Sequence, residues 1–305
     1  MSATEASKPK RRAHSRHIRD STGLSPVRVT PRDIEILRTV GDYRILSTVQ
    51  IQKLFFRSLH RTRKRLRGLW QHRLLDRRFQ PIRLGEDTPH ILYVLSQTGA
   101  RLLAGRASSS GQATVPTPFM RRGSGLFLEH TSVCSDFRIA VTLDSRASPD
   151  YRLLYWRHQE IGTAVNLITG DATRRMVRVP IVADALFGIR HRQHDRHFFC
   201  EIDMGTTSHR RILLKLQAYT ELWRRGLFRE RFGIPDFRVL IVTVSHTRAS
   251  RLSQTVAAQR QTTGCSRLFS FTTMSSAAGA AIRPVSGPIW HSTFSPEHRS
   301  LFEIA

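Results

Sequence analysis

The chain has 305 residues, 40% of them hydrophobic, which is enough for two domains with real cores. Its 49 Lys and Arg against 23 Asp and Glu leave a formal charge of +26, so the composition predicts a polyanionic partner. Cys134, Cys200 and Cys265 lie too far apart for a CxxC zinc site, their odd number argues against a disulfide framework, and no apolar run approaches the length of a membrane helix. Most of the cations are Arg, which favours bidentate phosphate and guanine contacts. An anionic membrane surface is the competing partner. It would require an amphipathic anchor or a lipidation site, and Ser2 stands where myristoylation needs glycine. The basic N-terminus has no apolar segment of the signal-peptide kind, and a cytoplasmic, DNA-associated protein is expected.

Residues 1–28 carry Lys8, Lys10, Arg11, Arg12, Arg16 and Arg19 with almost no apolar content, and read as a disordered basic arm. It would serve as a solubilising tail or lie on phosphates or in a minor groove. Residues 29–104 follow as one domain. Thr30 caps a first helix with Pro31 at its first position, and Ile34, Leu37 and Val40 recur at helical spacing. Ser47 caps a second helix, with Val49, Leu54 and Phe55 expected inward. A third helix covers about 59–73. Leu66, Leu69, Trp70 and Leu74 share one side of it, and Arg61, Arg63, Lys64 and Arg67 the other. Leu75–Phe79, which includes Arg77 and Arg78, and Ile91–Leu95 read as two strands around a Gly85-Glu86-Asp87 turn. Thr98 to Leu103 starts another short helix. Three helices and a wing make a winged helix-turn-helix, whose third helix enters the major groove of double-stranded DNA. Four cations with no interleaved acid repel one another unless something anionic offsets them. Arg61, Arg63, Lys64 and Arg67, with Arg77 and Arg78 of the wing, are therefore the candidate DNA contacts.

Residues 105–125, rich in Ser, Gly, Pro and Thr, read as a linker. A second domain covers 126–275. The pattern predicts a helix over 126–146, strands near 151–160, 176–189 and 197–204, a helix over 209–225, a strand from Phe237 to Val244, a helix over 247–261 and a final strand through Phe271. Strand, helix, strand order implies a crossover and a mixed α/β sheet, so the whole chain is of the α+β class with two domains. Residues 276–305 are expected to form an irregular C-terminal tail.

The chemistry concentrates in residues 180–219. Asp184 ends one apolar run, and Glu201 and Asp203 lie two apart on the next, on one face of a strand. Three converging carboxylates repel one another unless a divalent cation lies between them, and oxygen donors suit Mg²⁺ or Mn²⁺. Asp184 and Glu201 are then the ligands, and Asp203 a ligand or a water-orienting group. Lys215, on the following helix, would stabilise charge on a phosphodiester under attack. The opposing reading makes the acids a degenerate scaffold, or surface acids offsetting Arg190 or Arg210.

This layout resembles the PD-(D/E)xK nuclease superfamily, with Asp184 as the first acid and Glu201 as the second. It departs from that pattern in two ways. Pro180 is four residues before Asp184, and Asp203 stands where the motif has Lys. Some members carry the Lys on the next helix, where Lys215 and Tyr219 echo a Gln-x-x-x-Tyr motif. The resemblance also implies Glu129, on the preceding helix, as a further metal ligand. The segments Thr30–Leu37, Gln52–Phe56, Leu69-Trp70, Leu128–His130, Ala183–Ala185 and Glu201–Thr206, with Lys215 and Tyr219, resemble the replication-relaxation family of plasmids and other mobile elements. The resemblance spans about 30 to 245. It implies a DNA-binding protein acting in replication, relaxation or mobilisation of a mobile element, with replication or transfer proteins as partners. A non-enzymatic DNA-binding adaptor or regulator is the alternative. His191, His194 and His197 fall in an Arg- and Gln-rich stretch, and read as a solvated loop or extra phosphate contacts, not as a zinc site.

Overall fold

The computed structural model describes residues 19, 26–80, 90–110, 116–118, 125–158, 163–168, 176–258, 265–278, 283–293 and 297–304. The chain divides into two compact units, Met1–Ser132 and Val133–Ala305. The boundary falls inside helix α5 (Gly125–Ala147). Of the basic arm expected over 1–28, Arg19 and residues 26–28 are described, and the rest lies outside the described residues. Arg19 donates to the carbonyls of Trp70 and Leu75, each at 3.0 Å, and pairs with Asp76.

The first unit runs α1 (Pro31–Tyr43), β1 (Leu46–Ser47), α2 (Thr48–Phe55), α3 (Leu59–Gln71), β2 (Leu75–Phe79), β3 (Ile91–Leu95) and α4 (Gln97–Ser110). Both predicted caps form. Thr30 and Asp33 make a reciprocal capping box on α1, and Ser47 and Gln50 make one on α2, each satisfying amides that a helix end leaves unpaired. The antiparallel sheet has the order β1-β3-β2, with Tyr93 opposite both Leu46 and Arg77. Ile36, Leu37, Val40, Ile51, Leu66 and Leu69 are wholly buried. Val49 departs from expectation. It is half exposed, because the α2 stripe that reaches the core is carried by Ile51 and Gln50. The predicted turn at Gly85-Glu86-Asp87 lies outside the described residues.

Asp33 does more than cap. Arg65 on α3 grips its carboxylate with two nitrogens, Nε at 2.6 Å, and donates to the carbonyl of Arg28 at 2.9 Å. Burial alone would raise the Asp33 carboxyl, but the bonds from Arg65 and Thr30 outweigh it and hold the pKa below the usual value. The pair fixes α3 against α1.

In the second unit, α5 is followed by β4 (Tyr151–His158), β5 (Thr163–Ile168), β6 (Met176–Ile181), β7 (Ala185–His191) and β8 (His194–Asp203). Then come α6 (His209–Arg224), α7 (Leu227–Phe232), β9 (Arg238–Thr243), α8 (His246–Ala258), β10 (Phe269–Thr273), α9 (Met274–Ala278) and β11 (His291–Ser292). A mixed six-stranded sheet has the order β11-β10-β9-β8-β7-β4. β8, β9 and β10 are parallel, joined by the crossovers that carry α6 and α8, while β4, β7 and β8 form an antiparallel meander. The apolar run 176–189 is two strands, broken at 182–184, and β6 pairs with the unpredicted β5 in a separate ribbon.

Alternation along β8 separates two cores. Phe199 packs with Leu216, Tyr219, Phe237 and Leu252 on the α6 and α8 side. Phe198, Cys200 and Ile202 pack with Phe137, Phe187 and Trp290 on the other. Trp290 belongs to the segment expected to be an irregular tail. Among its described residues, α9 and β11 are the regular elements, and Val285, Trp290, Leu301 and Ile304 are built into the core. Buried Asp144 on α5 accepts from the amides of Val285 and Ser286 at 2.7 and 2.9 Å, and the Trp290 indole donates to the carbonyl of Pro284 at 2.7 Å. Its apolar residues, Val285, Trp290, Leu301 and Ile304, are too dispersed to give a helix or strand period, which is why the pattern did not reveal the packing.

Trp290→Ala is expected to cost about 3–5 kcal/mol in urea unfolding of the full chain, the range for a truncated buried aromatic. Asp33→Asn is expected to cost about 2 kcal/mol at pH 7, less than a fully buried pair because Arg65 keeps 29% exposure. The folded Asp33 pKa is depressed, so its contribution is complete above the ordinary carboxylate value and lost as pH falls through the folded one. The gap between wild type and Asp33→Asn should therefore close below about pH 4.

Candidate functional site

Glu201 is on β8, on the face that α6 covers. Two residues one turn apart on α6 reach it. Lys215 Nζ donates to Glu201 Oε2 at 2.5 Å, and the Tyr219 hydroxyl donates to Oε1 at 2.5 Å. Positions i and i+4 lie on one helix face, so a single packing arrangement delivers both. Lys215 also donates to the carbonyl of Val182 at 2.9 Å, in the break between β6 and β7. Asp184 closes that break. Its amide donates to the carbonyl of Cys200 at 3.0 Å and its Oδ2 accepts from the amide of Ile202 at 2.7 Å, so it flanks Glu201.

The electrostatics follow from burial. Glu201 keeps 12% exposure, and burial pushes its carboxyl up to about 7, with Lys215 pulling the other way and Asp184 adding to the rise. Burial disfavours the Lys215 ammonium, but Glu201 and Asp184 together outweigh that and hold its pKa above the ordinary lysine value. Burial and the neighbouring Glu201 charge drive the Tyr219 phenol well above its usual value, so it remains a donor. Asp184, Glu201 and the Val182 carbonyl are hard oxygen donors of the kind Mg²⁺ or Mn²⁺ takes. Each Glu201 oxygen carries one protein hydrogen bond and keeps a second lone pair, through which a cation would be ligated.

Asp203 shares the face of Glu201 but is held by a different set. Arg248 on α8 pairs with its carboxylate and also donates to the carbonyl of Thr207 at 2.7 Å. Thr243 and the amide of Gly205 donate at 2.9 and 3.1 Å. Gly205 has a φ of 77°, a left-handed conformation suited to glycine, and turns the chain from β8 toward α6. With both oxygens engaged in this buried cluster, Asp203 is a structural anchor for the β8–α6 turn. The geometry gives no support to its expected role as ligand or water-orienting group. Glu129 is on α5 in the first unit and half-buried.

On α3, Arg61, Arg63, Lys64 and Arg67 are all exposed, and Leu66, Leu69 and Trp70 are buried. Arg77 is turned inward. Its guanidinium lies 3.8 Å from the Trp70 ring centroid and donates to the Tyr93 hydroxyl at 3.4 Å. Arg78 is half-buried on β2.

A family model described as replication-relaxation matches residues 37–236, well over half of the chain. The chain belongs to the replication-relaxation family. Membership points to a role in the replication or relaxation of a plasmid or mobile element. Comparison with curated proteins and with solved structures gives no match. The matched segment contains α3, Asp184, Glu201, Lys215 and Tyr219, and ends before Arg248. Arg248 and the Val182 carbonyl carried no signal in the sequence, since each acts through tertiary neighbours alone. Tyr219 did, through its spacing from Lys215.

Lys215→Met leaves Glu201 buried without its cation. In the wild type the carboxyl already protonates on folding below about 7, so the added cost in the variant is absent below that value and grows as pH rises above it. Urea titrations are expected to give a loss of about 1–2 kcal/mol at pH 8 and little at pH 5.

Proposed function

We propose that the protein binds double-stranded DNA of a plasmid or mobile element through a winged helix-turn-helix in its first unit. In the second, a restriction-endonuclease-like domain hydrolyses a phosphodiester with Mg²⁺ or Mn²⁺. The observation that carries the nuclease reading is the convergence of Asp184, Glu201 and Lys215 from the β6–β7 break, β8 and α6. That convergence restores the Lys that the Glu-x-Lys position lacks. Support for the DNA-binding reading comes from the order α1-β1-α2-α3-β2-β3 with its β1-β3-β2 sheet, and from four exposed cations on one side of α3.

A divalent cation bound by Asp184 and Glu201 would supply phosphate polarisation and an activated water. The chain's own residues do the rest. The Ile202 amide orients the Asp184 carboxylate. Tyr219 holds Glu201 from the side opposite Lys215 and excludes water there. Lys215 keeps its proton at neutral pH, so its ammonium can bind the non-bridging phosphate oxygens as negative charge accumulates in attack. No helix among the described residues is long and apolar enough to cross a membrane, and the charge of +26 suits DNA as the polyanionic partner.

A second reading rests on the same geometry. The closed Lys215–Glu201–Tyr219 cluster is also what a scaffold needs to neutralise a buried carboxylate. The protein would then be a non-enzymatic adaptor, bringing replication or transfer proteins to DNA.

Supercoiled plasmid incubated with the purified protein in Mg²⁺ or Mn²⁺ is expected to be nicked or linearised. Cleavage should disappear in EDTA and in Glu201→Gln, with DNA affinity retained. Salt-sensitive binding without cleavage in either metal would establish the adaptor. Replacing Arg61, Arg63, Lys64 and Arg67 together by Ala is expected to reduce the salt slope of duplex binding by about 3–4. An unchanged slope would remove α3 from the interface.

A further inference from the structure

The face of the sheet turned away from Glu201 holds a second constellation, at the opposite end of β8. A cavity of about 310 Å³ opens there, lined among others by Tyr151, His191, His194, Arg196, Phe302 and Glu303. Three rings form its wall. Tyr151 stacks on His191 at 4.7 Å between centroids with 17° between planes, and Phe302 lies 4.8 Å from His191 and 5.8 Å from Tyr151. Each ring is only half-buried, and Tyr151 and Phe302 also pack against the core beneath.

The floor continues into a basic track. Arg196 on β8 and Arg238 on β9 occupy the same face, since Phe198 is opposite Arg238 and Arg196 is two residues before Phe198. Burial lowers the Arg238 pKa, Asp236 opposes that, and the charges of Arg196 and of Arg267, just before β10, lower it further. Like charges so placed repel one another. Moreover, the Nε atoms of Arg196 and Arg238 are buried and have no hydrogen-bond partner. Half-buried arginines beside half-buried rings that line a cavity match a chemistry that offers a phosphate and a planar ring together. Glu303, fixed by the Ser300 amide at 2.7 Å, and Asp144 and Asp150, whose charges Tyr151 also senses, would keep a phosphate off the Tyr151 rim and leave Arg196 as its partner.

We propose that this end of the sheet binds an unpaired DNA strand, one base stacking in the cavity against Tyr151, His191 and Phe302 and the adjoining phosphates on Arg196 and Arg238. Aromatic stacking tolerates every base, and arginines track the backbone, the combination found where single strands are bound without sequence preference. The site gives a role to the histidine tract, of which His191 and His194 line the cavity, while His197 on the other face accepts or donates a bond with the Tyr155 hydroxyl at 2.7 Å. It is five residues of β8 away from Glu201, about 17 Å along the strand, and does not depend on catalysis there.

The test is done in EDTA, so that cleavage plays no part. A 5-iodouracil-substituted single strand, irradiated with the wild-type protein, is expected to couple to Tyr151, His191 or Phe302, located by peptide mass spectrometry. Coupling only elsewhere would overturn the proposal. Phe302→Ala and, separately, Arg196→Gln are expected to weaken single-strand binding roughly tenfold while duplex binding stays within about twofold. Equal loss for both DNA forms would reduce the site to a general charge effect and overturn it, as would binding of thymidine monophosphate as tight as that of an oligothymidylate. Since Arg196 is at the surface end of β8, its variant keeps the test decisive if Phe302→Ala fails to fold.

Discussion

A carboxylate on an inner strand of a sheet must be neutralised or protonated, and Glu201 meets that condition through α6 alone. Lys215 and Tyr219 each take one of its oxygens, and Lys215 reaches past it to the Val182 carbonyl. The β6–β7 break, the C-terminal part of β8 and one face of α6 are thereby fastened at one point. The arrangement is costly, since burial holds the Glu201 carboxyl near 7 against the pull of a lysine.

The alternation of β8 distributes everything else in the second unit. One set of positions gives Glu201 and Asp203 to the α6 and α8 side, and the other gives Arg196, Phe198, Cys200 and Ile202 to the side packed by Phe137 and Trp290. Asp203 and Glu201 are chemically alike and two residues apart, yet α8 brings Arg248 to one and α6 brings Lys215 to the other. The strand's opposite end faces solvent with arginines and rings. One strand can thus present a carboxylate site and a basic, aromatic-walled cavity without either group of charges neutralising the other.

In the first unit the corresponding constraint is the Asp33–Arg65 pair. It uses the one α3 cation that points inward and leaves Arg61, Arg63, Lys64 and Arg67 exposed. Arg77 likewise spends its charge on Trp70. Charge alone does not say which arginines are available to a phosphate. Packing decides that.

The sequence by itself determined the three helices and two strands of the first unit, the caps at Thr30 and Ser47, the exposed cations of α3 and the crossovers implied by alternating strands and helices, and it singled out Asp184, Glu201 and Lys215 as candidates. Each of these is written in local periodicity, capping chemistry or short spacing. The tertiary structure alone decided that 176–189 is two strands, since the break at Val182–Asp184 contains no glycine or proline to announce it. It alone decided that β5 exists, that Asp203 belongs to Arg248, and that Trp290 and its neighbours complete a core. Those outcomes depend on which residues far apart in the chain arrive beside one another, and a one-dimensional pattern carries no record of that.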